Sequence, residues 1–218
     1  MKTKILTSIG CLLLMAGLVR ADALLSFDDH GQGGGTASSG SYAPGATFTF
    51  DITLAVANSG TDPVAASVNS ISYWFETSAL NNGYFTIVSR NLSGSPFTDP
   101  QATISNEAIV PGGNASDLGA TTPTGSPVAT NNSYFVATIT LQIAPTTPAG
   151  TYTISTTNLA SNGGPKTSTV GDTSFARHNL PATTYTITVV PEPATLSLLG
   201  LSGLGSLGLT MLRRHRRH

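Results

Sequence analysis

Asp172, Ser174 and His178 lie close together in the chain and supply the three side-chain types of nucleophilic hydrolysis: a carboxylate to orient, an imidazole to take a proton, a hydroxyl to attack. Asp28-Asp29-His30 offers a second chemistry, two carboxylates and an imidazole of the kind that hold a divalent cation. Both readings have a plainer competitor. A triad is defined by geometry, and serine is so common here that closeness in sequence says little. The Asp-Asp-His run opens the stretch HGQGGGTASSGSYAPG, whose Gly and Ser content marks a solvated loop. Glu76 and Glu107 are the only glutamates between Leu24 and Val190, and Glu76 alternates with strand residues beside Trp74, so no carboxylate pair for glycoside hydrolysis stands out. Tyr73, Trp74, Tyr84 and Tyr134 would stack on sugar rings if exposed, but aromatics on strands pack into cores by default. GGPKTST around Lys166 lacks the spacing and the following helix of a phosphate-binding loop. The sequence therefore predicts no catalytic residue, no metal site and no cofactor.

Charge narrows the partners. Between Leu24 and Val190 the basic residues are Arg90, Lys166 and Arg177, against nine acidic ones, an excess of six negative charges that repels phosphate backbones. Nucleic acid is not an expected partner. The remaining basic residues sit at the two ends of the chain.

At the N-terminus, Lys2 and Lys4 precede an apolar run from Ile5 to Val19, followed by Ala21-Asp22-Ala23, a small-x-small cleavage site with Ala21 and Ala23 as its small residues. Residues 1–23 read as a signal peptide with a helical apolar region, and the exported chain would begin near Leu24. Cys11, the single cysteine, lies inside the apolar run rather than at its end, which disfavours lipidation and leaves the exported chain without a disulfide framework.

The elements that must position any site are strands. In ATFTFDITLAVA, Phe48, Phe50, Ile52, Leu54 and Val56 share one face and Thr47, Thr49, Asp51 and Thr53 the other. ISYWFE places Ile71, Tyr73 and Phe75 together. SYFVATITLQI aligns Phe135, Ala137, Ile139, Leu141 and Ile143, while TYTIS and TTYTITVV contribute Tyr152, Ile154, Tyr185, Ile187 and Val189. Each run is bounded by Pro, Gly or Asn. One-sided strands with no amphipathic helix to cover them pack sheet on sheet, so the prediction is an all-β, antiparallel, Ig-like or cohesin-like β-sandwich of about seven to nine strands, with a barrel as alternative. Residues 24–45 form a short strand and a Gly/Ser-rich loop, and residues 46–190 the sandwich. Ser89 to Thr130 reads as long loops with short strands near ATIS and EAIV.

The last segment, residues 191–218, is of a different kind. Ala194 to Leu212 is a 19-residue stretch without charge, which as a helix matches a hydrocarbon core of about 30 Å. Arg213, Arg214, Arg216 and Arg217 then stop transfer on the cytoplasmic side. Pro191-Glu192-Pro193 precedes the span, held extended by its prolines and open to a processing enzyme. Leu180-Pro181-Ala182-Thr183-Thr184 competes weakly as a sortase-like pentapeptide, but it lacks the final glycine and runs directly into a strand.

Two resemblances follow from these residues. SYAPGATFTFDITL and YFVATITLQIAPTTPAGTYTIS resemble extracellular cohesin-like and carbohydrate-binding sandwiches, over roughly Tyr42 to Val190. VPEPATLSLLGLSGLGSLGLTMLRRHRRH closely resembles a PEP-CTERM sorting domain: the VPEP motif, a Gly- and Leu-rich span and a terminal Arg cluster. That resemblance implies recognition by an exosortase-type membrane enzyme, transient residence in the inner membrane, removal of the tail, and delivery to the envelope surface or an extracellular polysaccharide matrix. The expectation is an exported structural or adhesive protein. Its alternatives are a carbohydrate-binding or cohesin-like binding module and, further off, a secreted hydrolase.

Overall fold

The structure, a computed structural model, describes residues 23–58, 62–64, 66–158 and 166–191. The signal segment, Ala21, Glu192, Pro193, the 19-residue apolar stretch and the four terminal arginines lie outside them. Among the described residues no helix is long and apolar enough to cross a membrane, and the one helical element is a 3-10 turn, Ala79–Asn81.

The strands follow the period-2 pattern. β1 (Ala23–Asp28), β3 (Thr47–Val56), β10 (Asn132–Ile143), β6 (Phe85–Asn91) and β8 (Glu107–Ala108) make one sheet in that order. In β3 all five expected residues are buried, Phe50, Ile52 and Leu54 completely, while the intervening Thr and Asp side chains face outward. Aromatic and β-branched side chains fit such a half-buried pleat, and full burial of each contributes about 1.5–3 kcal/mol. Opposite lies a second sheet, in the order β2 (Ser39–Tyr42), β14 (Thr184–Val189), β11 (Gly150–Thr156) and β5 (Phe75–Glu76). The two faces meet through aromatic rings: Tyr185 lies 5.2 Å from Phe50 and 5.8 Å from Phe27, and Phe75 lies 5.8 Å from Phe50. A third sheet runs β13 (Arg177–Asn179), β12 (Thr169–Asp172), β4 (Val68–Ser72), β9 (Ala120–Thr121) and β7 (Asp99–Pro100). It continues the second, because β4 and β5 are one extended segment interrupted only at Tyr73 and Trp74.

The all-β sheets therefore match the predicted class, with local departures. Among the described residues fourteen strands replace seven to nine, because β5, β7, β8 and β9 are two-residue pairings without a periodic signature and β2 and β13 are short strands of loop-like composition. β2 sits inside the span read as loop, and it pairs with β14 in parallel, against the antiparallel expectation. In β10 a bulge between Phe135 and Ala137 inserts Val136, which is fully buried while Phe135 turns partly outward. EAIV does supply β8, whereas ATIS forms no strand.

Register fixes which end of the sandwich carries what. Thr183 Oγ1 donates to the Leu25 carbonyl at 2.7 Å, and Tyr185 Oη donates to Asp29 at 2.7 Å, so β14 runs in the direction of β1 and ends far from Ala23. Val189 pairs with Tyr42 and Gly150 at that end. β11 then leads away to Ser155 and Thr156, which pair with Glu76 and Phe75, and the β4–β5 segment continues to Val68, opposite Asp172. Thirteen residues of strand separate the two levels, about 40 Å of path at roughly 3.3 Å per residue. The C-terminal exit and the β12–β13 hairpin thus occupy opposite ends.

Candidate functional site

The chain leaves the sandwich at an abrupt junction. Val189 is buried, and the Val190 amide donates to the Tyr42 carbonyl at 2.9 Å as the last rung of the β2–β14 ladder. Pro191 follows with no amide hydrogen, so the ladder cannot continue, and it stands exposed. The Pro-Glu-Pro motif thereby starts where the β2–β14 ladder stops. The competing pentapeptide is part of the fold: Leu180 is buried with its amide bonded to the Ser168 carbonyl, and the Thr183 amide is bonded to Thr156 Oγ1.

Beside this junction the Asp28-Asp29-His30 group is divided. Asp29 points into the core, fully buried, where it accepts from Tyr185 Oη at 2.7 Å, Tyr42 Oη at 3.3 Å and the Gly31 amide at 2.9 Å. Burial and these partners push the Tyr185 hydroxyl far above its ordinary pKa, and burial raises Tyr42 as well. His30 turns outward, its Nε2 3.0 Å from Asp51, and that hydrogen bond with the nearby Asp28 raises its pKa. Among the described residues no group of three or more His, Cys, Asp or Glu side chains is arranged to hold a metal ion.

At the opposite end the structure does bring Asp172, Ser174 and His178 together, in an order unlike a catalytic relay. Asp172 sits in the middle. Its Oδ1 accepts from Ser174 Oγ at 2.6 Å, the Ser174 amide at 2.9 Å and the Ala176 amide at 3.0 Å, while Oδ2 lies 3.3 Å from His178 Nε2. His178 Nδ1 lies 2.8 Å from Asp62. A relay needs the serine hydroxyl on the imidazole, whereas here it is donated to the carboxylate. Burial works against a charged His178, but hydrogen bonds to Asp62 and Asp172 outweigh it and raise its pKa. Burial opposes ionised Asp172 too, yet the bonds from Ser174, Ala176 and His178 hold it below the usual carboxylate range. The arrangement clamps a turn.

The remaining sequence candidates lie on the strands and their connecting segments. Tyr73 is buried, and Trp74, Tyr84 and Tyr134 are half-buried. Tyr84 packs edge-on to Tyr152 at 5.5 Å, and Tyr134 Oη bonds the Ala129 carbonyl at 2.8 Å. Glu107 accepts from Asn114 Nδ2 and the Ser116 amide, with Lys166 donating to the Gly113 and Asn114 carbonyls nearby. Glu76 lies on β5, paired with Ser155. Sequence reasoning missed the one aromatic displayed among the described residues: Phe175, 94% exposed at the tip of the β12–β13 hairpin. Its position after Asp172-Thr173-Ser174, a turn-forming run, was the available signal.

Comparison with known proteins separates tail from body. No curated protein matches the chain. Among solved structures, the chain is similar to a cohesin module from a Clostridium perfringens family 33 glycoside hydrolase, with TM-score 0.49 and 13% identity, covering 80% of this chain and 100% of that one. It is also similar to CaCohA2 from Clostridium acetobutylicum, with TM-score 0.47 and 16% identity over 78% and 92% of the two chains. The third ScaB cohesin of R. flavefaciens, solved in complex with a group 1 dockerin, gives TM-score 0.48 and 15% identity over 80% and 99%. Residues 189–217 match the model of the PEP-CTERM protein-sorting motif. Because that match begins on the last buried residue of β14 and runs through Pro191-Glu192-Pro193 to Arg217, the chain carries a PEP-CTERM sorting tail, which marks it for export and sorting to the envelope or surface.

Proposed function

We propose that the protein is an exported, non-enzymatic sandwich module, presented at its C-terminal junction to an exosortase-type membrane enzyme and then held at the cell surface or in the extracellular matrix in a structural or adhesive role. The carrying observation is the junction. The last ladder bond is made by Val190, and Pro191, the first residue of Pro-Glu-Pro, stands exposed with no amide hydrogen to extend the ladder. A membrane-bound enzyme would reach Pro191 without opening the β2–β14 ladder. The absence of a serine–imidazole hydrogen bond in the Asp172 cluster favours the non-enzymatic reading over hydrolysis.

The test is mass-spectrometric mapping of both termini in protein isolated from its own host, comparing membrane and extracellular fractions. The expected result is an N-terminus near Leu24 and a C-terminus near Pro191 to Pro193 outside the membrane. An intact RRHRRH end found only in membranes would make the tail a plain anchor and overturn the sorting reading. A second reading, a ligand-binding module, is favoured by the exposed Phe175 and the groove beside it.

A further inference from the structure

We propose that the outer face of the third sheet, at the end of the sandwich opposite the sorting tail, is a binding groove for a neutral polysaccharide chain, with Phe175 as its stacking platform and Arg177 as its main charged donor. This inference names a site and a ligand class for the binding-module reading above and rests on it.

The groove encloses about 700 Å³ between the β12–β13 hairpin and the loop that follows β9. Its floor is a row set by strand register: Arg177 pairs with Gly171, Gly171 with Ser70, and Ser70 with Thr121. Adjacent strands lie about 4.8 Å apart, so this row is on the order of 15 Å long. Gly171 keeps it low, because a Cβ there would collide with Ser70 Oγ. Hydroxyls of Ser70, Thr121 and Thr122 line the row, and Pro123 and Phe175 stand at its sides.

Phe175 carries the inference. The Phe175 amide donates to the Asp172 carbonyl and the Asp172 amide to the Ala176 carbonyl, both at 3.1 Å, which makes a three-residue hairpin loop ending in a left-handed residue. Glycine is the default there. Phe175 instead has φ 66°, and for a bulky side chain that conformation costs roughly 1–2 kcal/mol. The side chain recovers none of this by burial, being 94% exposed. Asp172 holds the turn in place through three hydrogen bonds, so the ring is displayed on a fixed support. A strained, rigidly held and solvated aromatic points to a role outside the fold.

The lining selects the ligand. A protein-binding patch needs an apolar centre that excludes water, whereas here the lining is mixed: the Phe175 ring, Pro123, Pro127 and Ala176 stand among hydroxyls, the Asn69 amide, the Arg177 guanidinium and the Asp172 carboxylate. Sugars present the complementary set: an apolar ring face for stacking and hydroxyls that pair with Ser, Thr, Asn and Arg. Of the three cations in the body, Arg90 is turned to the Asp117, Gly119 and Ala102 carbonyls and Lys166 to Gly113 and Asn114, leaving Arg177 on the groove. One guanidinium on a body with six excess negative charges suits a neutral chain rather than a polyanion.

The test is native affinity electrophoresis of the full chain, purified in mild detergent, through gels containing laminarin, dextran, galactomannan or alginate. Retardation by at least one neutral glycan, weakened about tenfold or more in Phe175→Ala and in Arg177→Met but unchanged in Leu80→Ala, an exposed residue of the 3-10 turn outside the groove, is the expected result. Retardation that survives Phe175→Ala moves the site elsewhere and overturns the groove. Binding to alginate alone overturns the neutral ligand, and retardation by none of the four overturns the glycan assignment. Photo-crosslinking from position 175 to an envelope protein would replace the glycan by a protein partner. Terminus mapping of the same variants reads the sorting tail independently, so failure of either reading is seen on its own.

Discussion

Each end of the sandwich is organised by a buried aspartate, and the two are solved differently. Near the tail, Asp29 is surrounded by phenols: Tyr185 donates to it at 2.7 Å, the single hydroxyl hydrogen of Tyr42 is shared between Asp29 and Tyr185 Oη at 3.3 and 2.9 Å, and their rings continue into Phe48, Phe50 and Phe27. At the far end, Asp172 is surrounded by a hydroxyl, two amides and an imidazole, and its cluster sits at a sheet edge. The first locks three strands of both layers together where the chain leaves the fold. The second shapes one hairpin. The junction proposed for processing is tied into the global core, whereas the side-chain bonds of Asp172 stay within its own hairpin and His178 reaches out of it to Asp62.

Asp29→Ala tests this most severely. It removes the acceptor of two buried hydroxyls and of the Gly31 amide, at a cost of about 3 kcal/mol, read as a lowered urea midpoint for the whole domain. Asp29→Asn keeps an acceptor and should lose about half as much. Asp172→Ala should cost about 2 kcal/mol, concentrated locally: hydrogen exchange is expected to accelerate in residues 169–179 and little elsewhere. If both substitutions lowered the stability of every strand equally, the distinction between a core lock and a local clamp would fail.

The two ends also differ in what sequence made visible. β3 was legible because its alternation needs no partner to be seen, and the sorting motif because a linear peptide is read by an enzyme in linear form. β2 was hidden: Ser39-Gly40-Ser41-Tyr42 has loop composition, but Tyr42 stacks on Phe48 at 4.0 Å, and Gly40 leaves room for that ring where a Cβ would strike it. Phe135 was misassigned because counting by twos cannot register the inserted Val136. Asp29 looked like a loop residue since its partner Tyr185 is 156 residues away. The groove was invisible for the same reason: Arg177, Gly171, Ser70 and Thr121 become neighbours only through pairing of four strands.

A smaller effect separates the ends by pH. His178 has a raised pKa, so its contribution is complete below its unfolded value near 6.5 and fades as pH rises through the folded value. Asp172 is lowered, so its contribution is present above about 4 and fades as pH falls through the folded value. The hairpin should therefore be best protected between these limits. His178→Asn should remove the alkaline limb from the exchange profile of residues 169–179. At the tail end the phenols titrate upward, beyond this range, and exposed His30 adds only a weak, salt-screened limb of the same sign. A wild-type hairpin whose protection stayed flat from pH 6 to 9 would show that the imidazole is not an ionic partner.

The smallest expected effect runs the other way. Phe175→Gly replaces a strained, exposed aromatic with the residue its φ of 66° favours, and should stabilise the hairpin by about 1 kcal/mol, less whatever the freer unfolded chain takes back. At Asp29 no substitution can gain, because every atom there already serves the fold. A gain at Phe175 together with loss of glycan retardation would show stability given up for display, as binding surfaces commonly require. A loss of stability in Phe175→Gly would instead mean that the ring packs on the groove wall in solution, and the two ends would then both be built for the fold alone.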